Sequence, residues 1–387
     1  MNIEDNAKKI SRKDFLKLLG MTSAGVILAG CTKSPEVLST SESKPSTYSG
    51  PSLKGTGQVM VYDGGGAWGE AQRKAYFEPF TKETGIEVVP VPGTNEGPIR
   101  AGIEAGSPTM DVINFSGNVY YDWARTGGLL EPVDYSLWDP DDKASMVPVP
   151  AEEYGVPSII YAVLVAYDLN KYPDKQPKNW IDFWDVENFP GTRTLGVGYP
   201  GYCTYEAALL GDGVDPKNLY PLDLDRAFSA LDRLKPHIAK FWEAGAEPIQ
   251  LVADGNVAMA SAWNGRINSY IEEGGKIGYS WEQSILEYDF TAVPVGAKNL
   301  ENAMKYIAFV SKPQPQAAFS ELLSYAPSNE KAYDFISSER AEILPTAPQY
   351  KGNQVVQDSN WWTSVDPDSG KTYQELVVAK YEEWISQ

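Results

Sequence analysis

From residue 59 to residue 126 short apolar runs alternate with longer stretches of helical spacing, and that alternation leaves few folds open. Residues 59–62 (VMVY) read as a buried strand, 63–68 as a glycine-rich loop, and 70–83 as a helix that stops at Gly85. A strand at 86–91 follows, then a helix near 98–105, a strand at 111–115 and a helix over 120–126. A helix between two strands lays them in parallel through a right-handed crossover. The expected class is therefore α/β, with ligand groups at the carboxyl ends of the strands. A second group of elements spans roughly 161–259, with strands at 162–167 and 194–198, after which the chain turns at 263–266 and enters a strand at 290–294.

The folded part does not begin at residue 1. Residues 18–30 form an uncharged run behind Lys8, Lys9, Arg12, Lys13 and Lys17. The run is shorter than the ~20 apolar residues that a membrane-spanning helix needs, and a basic segment before a short apolar one is the pattern of an export signal. Leu28-Ala29-Gly30-Cys31 resembles the lipobox of bacterial lipoproteins. That resemblance implies that the signal peptide 1–30 is removed and Cys31 is acylated, which anchors the chain outside the cytoplasmic membrane, in the periplasm or at the cell surface. Residues 11–17 (SRKDFLK) also resemble the twin-arginine motif, but Lys13 stands where the second arginine belongs, so the export route stays open. Residues 31–56, rich in Ser, Thr, Pro and Lys, read as a flexible tether.

Composition removes several chemistries. The formal charge is −19, and residues 1–30 carry more basic than acidic groups, so the mature chain is more acidic still and offers no basic face for nucleic acid. With Cys31 assigned to lipid, Cys203 has no partner, so no disulfide framework exists. A single histidine, His237, rules out a His-rich zinc site and forces any Ser-His-Asp triad through that one residue. It lies in residues 227–242, whose helical spacing is interrupted by Pro236, and is expected as a solvated helix histidine. The glycines 64–66 are followed by neither G-x-x-x-x-G-K-[ST] nor G-x-G-x-x-G, so they read as a turn with free amides. No cofactor or metal is implied.

Five segments then stand in a telling order: FTKETGIEV at 80–88, GLLEPVD at 128–134, WIDFW at 180–184, WNG at 263–265 and AVPVGAKN at 292–299. Together they resemble the spermidine/putrescine-type extracellular solute-binding proteins that serve ABC importers, over about 58–385. The resemblance implies a two-lobed α/β fold of the periplasmic-binding-protein type (type II), with the ligand in a cleft between lobes that closes by hinge rotation near Tyr161, Trp263 and Lys312. It places 57–161 and 262–312 in the first lobe, 162–261 and 313–387 in the second, and an ABC transporter permease as partner.

Members of that family box an amine's methylene chain between aromatic rings and meet its ammonium ends with carboxylates. Carried over residue by residue, Trp68 and Trp263 fall on box tryptophans, Asn118 and Tyr120 on the loop after the third strand, and Tyr325 in the segment SYAPSN at 324–329. In the segment 194–208 the family supplies acids, whereas this chain has Tyr199, Pro200, Tyr202 and Cys203, with Glu206 further along. Arg266 follows WNG. A fixed guanidinium repels a polyammonium and matches a carboxylate bidentately, whereas an ion pair with Glu272 or Glu287 would make it a structural residue. Two ligand classes remain open: a polyamine such as putrescine or spermidine, and a zwitterion such as γ-aminobutyrate with its amine at Glu287 or Asp289 and its carboxylate on Arg266. A rival from another class is an enzyme on the same scaffold, with Cys203 as nucleophile and Glu206 as base.

Overall fold

The computed structural model describes residues 50–387 apart from Thr94 and Asn353, so the signal segment, Cys31 and most of the tether lie outside the described residues. Strand β1 (Gln58–Asp63) pairs in parallel with β2 (Glu87–Pro92), as the crossover requires. Between them one helical column runs through Gly66–Gln72, a π-helical turn at Arg73–Phe77, and Glu78–Thr84. Gly85 ends it in the left-handed region at φ 84°, where a side chain would be strained, and its N–H closes on Thr81. The third strand, β3 (Ile113–Ser116), is reached through Asp111. This buried carboxylate accepts from Met60 N–H at 2.8 Å and from the Asn299 side chain at 2.8 Å, and so pins the end of AVPVGAKN to β1.

Two long strands hold the molecule together. β4 (Val156–Tyr167) and β8 (Gly278–Ala292) pair antiparallel over most of their length. Toward one end β8 takes β3, and toward the other β4 takes β7 (Met259–Trp263). β7 continues through β5 (Arg193–Gly196) to β6 (Ile238–Trp242), while β10 (Val355–Val356) edges β8. The result is a two-lobed α/β protein. One core gathers around Val59, Phe80, Ile307 and Phe319, another around Trp180, Leu195, Leu231 and Trp362, and a third runs along β4 and β8.

Three local expectations change. Residues 227–242 are not one helix: the helix Leu224–Leu234 gives way to a 3-10 turn at Lys235–His237 and then β6, because Pro236 lacks an N–H while residues 238–242 pair with β5. His237 is half-buried in that turn. Residues 264–266 open the helix Asn264–Glu272 rather than a turn, and Trp68 sits in the first helical turn after β1 rather than in the loop. Phe319, on the helix Pro313–Leu322, stacks on Tyr76 with centroids 5.0 Å apart and meets Trp68 edge-on at 5.1 Å. Ile285 of β8 packs in one core with Val163 and Val165.

Candidate functional site

Period-two alternation builds the floor of the cleft. Glu287 and Asp289 are two apart on β8 and share a face. Register sets Tyr161 opposite Glu287, Ile159 opposite Asp289, and Trp263 of β7 opposite Val163. Paired residues project to the same side of a sheet, so Tyr161, Trp263, Glu287 and Asp289 converge on one face.

Three aromatic rings at or just beyond the ends of β5, β6 and β7 form one wall. The Trp263 indole lies at 5.0 Å and 83° from Trp242 and at 5.7 Å from Tyr202, whose ring tilts on Trp242 at 5.0 Å. The fully buried Trp242 donates to Ser261 Oγ at 3.0 Å, and Tyr202 OH donates to the Glu243 carbonyl at 3.0 Å. Both wall rings are thereby held. Gly245 lets the loop after β6 close over the wall: a Cβ there would stand 2.6 Å from the Trp263 ring and 3.4 Å from Arg266 Nε.

A second aromatic cluster comes from Trp68 and Tyr325, edge to face at 5.4 Å, with Tyr161 at 6.3 Å from Tyr325. Asn264 sets their position relative to Trp263. Its side chain accepts from Ala162 N–H at 2.8 Å and donates to the Ser324 carbonyl at 2.9 Å, which locks the start of the Asn264–Glu272 helix to β4 and brings Tyr325 against Gly265. This explains the WNG motif physically: Trp263 contacts, Asn264 positions and Gly265 leaves room.

Charge is distributed unevenly over this surface. Asp289, half-buried, has no hydrogen-bond or ion-pair partner for its carboxyl among the described residues, and burial pushes it up to about 7. Arg266, exposed in the first turn of its helix, likewise pairs with no carboxylate among the described residues. Glu272 is taken by Arg340 at 3.1 Å, and Glu287 accepts from Trp263 Nε1 at 3.2 Å. Tyr325 lies within the field of both: burial raises its phenol, Arg266 lowers it and Asp289 raises it.

Not all of the expected site residues join this cluster. Tyr120 does not reach the cleft: the helix Gly117–Thr126 starts earlier than the sequence pattern indicates, so residue 120 turns back to the sheet, where it is buried and stacks on Phe290 at 3.9 Å. The Asn118 amide donates to Gln357 Oε1 at 3.4 Å. Tyr161, read in the sequence only as a hinge position, and Trp242, Gly245 and Asn264, not singled out there, also belong to this cluster; the WNG motif contained Asn264. Cys203 and Glu206 are buried, and the thiol is pushed well above its ordinary range by burial and by Glu287 and Glu206, the opposite of an activated nucleophile.

A family model for bacterial extracellular solute-binding proteins matches residues 75–349. The chain belongs to this family. The γ-aminobutyric acid-binding protein of Pseudomonas aeruginosa is 37% identical over 310 residues, covering 79% of this chain and 86% of its own. The spermidine/putrescine-binding periplasmic protein of Escherichia coli is 25% identical over 324 residues, covering 81% and 90%. The crystal structure of an ABC transporter substrate-binding protein from Bradyrhizobium japonicum superposes with a TM-score of 0.76 at 34% identity, covering 85% and 99%. Solute-binding proteins of ABC transporters bind their solutes and do not transform them, so the enzyme alternative at Cys203 is set aside. The solute-binding protein works outside the cytoplasm, and no helix among the described residues is long and apolar enough to cross a membrane.

Proposed function

We propose that this solute-binding protein captures a small zwitterion carrying one amine and one carboxylate, with γ-aminobutyrate as the type, for import by an ABC permease. The observation that carries this is the pair of charges without partners among the described residues, Asp289 and Arg266, acting on the same Tyr325 phenol between aromatic rings. An ammonium against Asp289 and the Tyr161 and Trp68 rings is matched by charge and by the ring quadrupoles, and Arg266 presents a fork suited to a carboxylate. Putrescine or spermidine would instead bring a second ammonium toward Arg266. The 37% identity to a γ-aminobutyric acid-binding protein supports the same choice. Glu287, Tyr202, Trp263 and Tyr325 complete the binding surface. Lipid on Cys31 and the tether would hold the protein beside the permease, where confinement raises its effective concentration.

Isothermal titration of residues 57–387 with γ-aminobutyrate, putrescine and spermidine tests the ligand. One-to-one binding of γ-aminobutyrate in preference to both polyamines is expected. Preference for either polyamine would overturn the zwitterion reading.

A further inference from the structure

Two carboxyls share the face of β8 that floors the cleft, and their surroundings differ. Asp289 is half-buried and has no partner for its carboxyl among the described residues, whereas Glu287 is 3% exposed and accepts from Trp263. Trp263 Nε1 donates to Glu287 Oε2 at 3.2 Å, the Cys203 thiol donates to the same carboxyl, and Gly201 packs near Oε1. Cys203 is brought there by an unusual backbone: it caps the helix Thr204–Gly211 in the left-handed region at φ 53°, which a non-glycine residue adopts only when its surroundings enforce it. Behind it, Gln357 Nε2 donates to Cys203 Sγ at 3.4 Å and to Glu206 Oε1 at 3.4 Å, and Glu206 also accepts from Tyr220 OH at 2.6 Å and Trp362 Nε1 at 2.9 Å. A buried polar chain therefore runs from the Trp263 indole into the second lobe.

We propose that Glu287 selects for a ligand with a single ammonium group by standing in the cleft as an uncharged, hydrogen-bonded wall that fixes the Trp263 indole, while Asp289 alone holds the ammonium. This rests on the zwitterion reading above. The groups facing Glu287 are of its own sign or neutral: Glu206 and Cys203 from the capped helix and its cap, Asp289 from its own strand, Tyr161 from β4 and Tyr202 from the loop before Cys203. Burial, with Glu206 adding to it, holds the carboxyl well above the usual range, as expected for an acid with no cation beside it. A protonated acid still accepts from the indole and the thiol, so it holds Trp263 as a side chain of the same shape would. It offers no second negative charge to a diamine. The cleft then has one anionic and one cationic anchor, although its sequence carries two acids.

The test compares Glu287→Ala and Glu287→Gln with the wild type by titration with γ-aminobutyrate and putrescine, and by infrared difference spectroscopy of the ligand-free protein. Loss of the indole's partner in Glu287→Ala should weaken γ-aminobutyrate by ~10-fold or more, and Glu287→Gln should recover all but ~3-fold of it while keeping the preference over putrescine. The wild type minus Glu287→Gln spectrum should show a carboxylic-acid C=O band, which a merely structural carboxylate would not give. If Glu287→Ala folds poorly, the glutamine variant and the band decide. A carboxylate band in place of the acid band, or a Gln variant as weak as the Ala variant, would overturn the proposal while leaving the zwitterion reading intact. A wild type that binds only putrescine would overturn both.

Discussion

Replacing Asp289 by Asn should abolish most ligand binding and at the same time stabilise the ligand-free protein. The carboxyl rises from an ordinary 3.8 to about 7 through burial alone, which corresponds to roughly 4 kcal/mol of cost for holding the charge there. Water reaching the half-buried side chain makes that figure an upper bound. A ligand ammonium docking against the carboxylate offsets this cost, and Asn keeps the shape while losing a charge-assisted bond of about 1.5–3 kcal/mol. The Kd for γ-aminobutyrate should therefore rise about 10- to 150-fold. The sign of the pH effect follows from the raised value. Below about 7 the free protein holds a proton on Asp289 that an ammonium must displace, so wild-type affinity should fall as pH drops, approaching roughly tenfold per unit, while the Asn variant stays nearly flat. Without ligand, the stability tied to the protonated form is full below about 3.8 and lost as pH rises through about 7, so the variant should gain Tm on the wild type over that interval. Isothermal titration from pH 5 to 8 and thermal melts over the same range measure both. An Asn variant with wild-type affinity and the wild-type pH profile would refute Asp289 as the ammonium anchor.

Arg266→Ala should weaken γ-aminobutyrate by ~10-fold or more and Arg266→Lys should recover only part, because the fork geometry is lost; putrescine binding should be unchanged or improved. Equal affinities for all ligands in the wild type and both variants would make Arg266 a plain surface residue. Small-angle scattering should show a smaller radius of gyration on saturation, through rotation about β4 and β8 where they pass between the lobes; equal radii would favour a rigid cleft. Metabolic labelling with a fatty acid should mark the wild-type protein and not Cys31→Ala, and label persisting in the variant would remove the lipid anchor.

The sequence by itself determined the class of fold. Alternating short apolar runs and helical stretches have one economical solution, and local spacing carries it, as the parallel β1–β2 pair and the left-handed stop at Gly85 illustrate. It named Glu287 and Asp289 as acids for an amine, but it placed the strand only at 290–294; the structure extends β8 back to Gly278 and so sets both acids on one face. Local spacing does not carry register between distant segments. Asn264 bonds to Ala162 across 102 positions, and that contact brings Tyr325 beside Trp263. Likewise, the early start of the Gly117–Thr126 helix sent Tyr120 into the core, and Phe319 came to stack on Tyr76 across more than 240 positions. Which charges remain unpaired was decided in the same way. Glu272 was as near to Arg266 in sequence as any acid, yet it went to Arg340, and of two acids on one strand face only Asp289 was left open. Pairing and desolvation depend on every neighbour at once, so only the tertiary structure separated Asp289, half-buried and unpaired among the described residues, from Glu287, buried against Trp263.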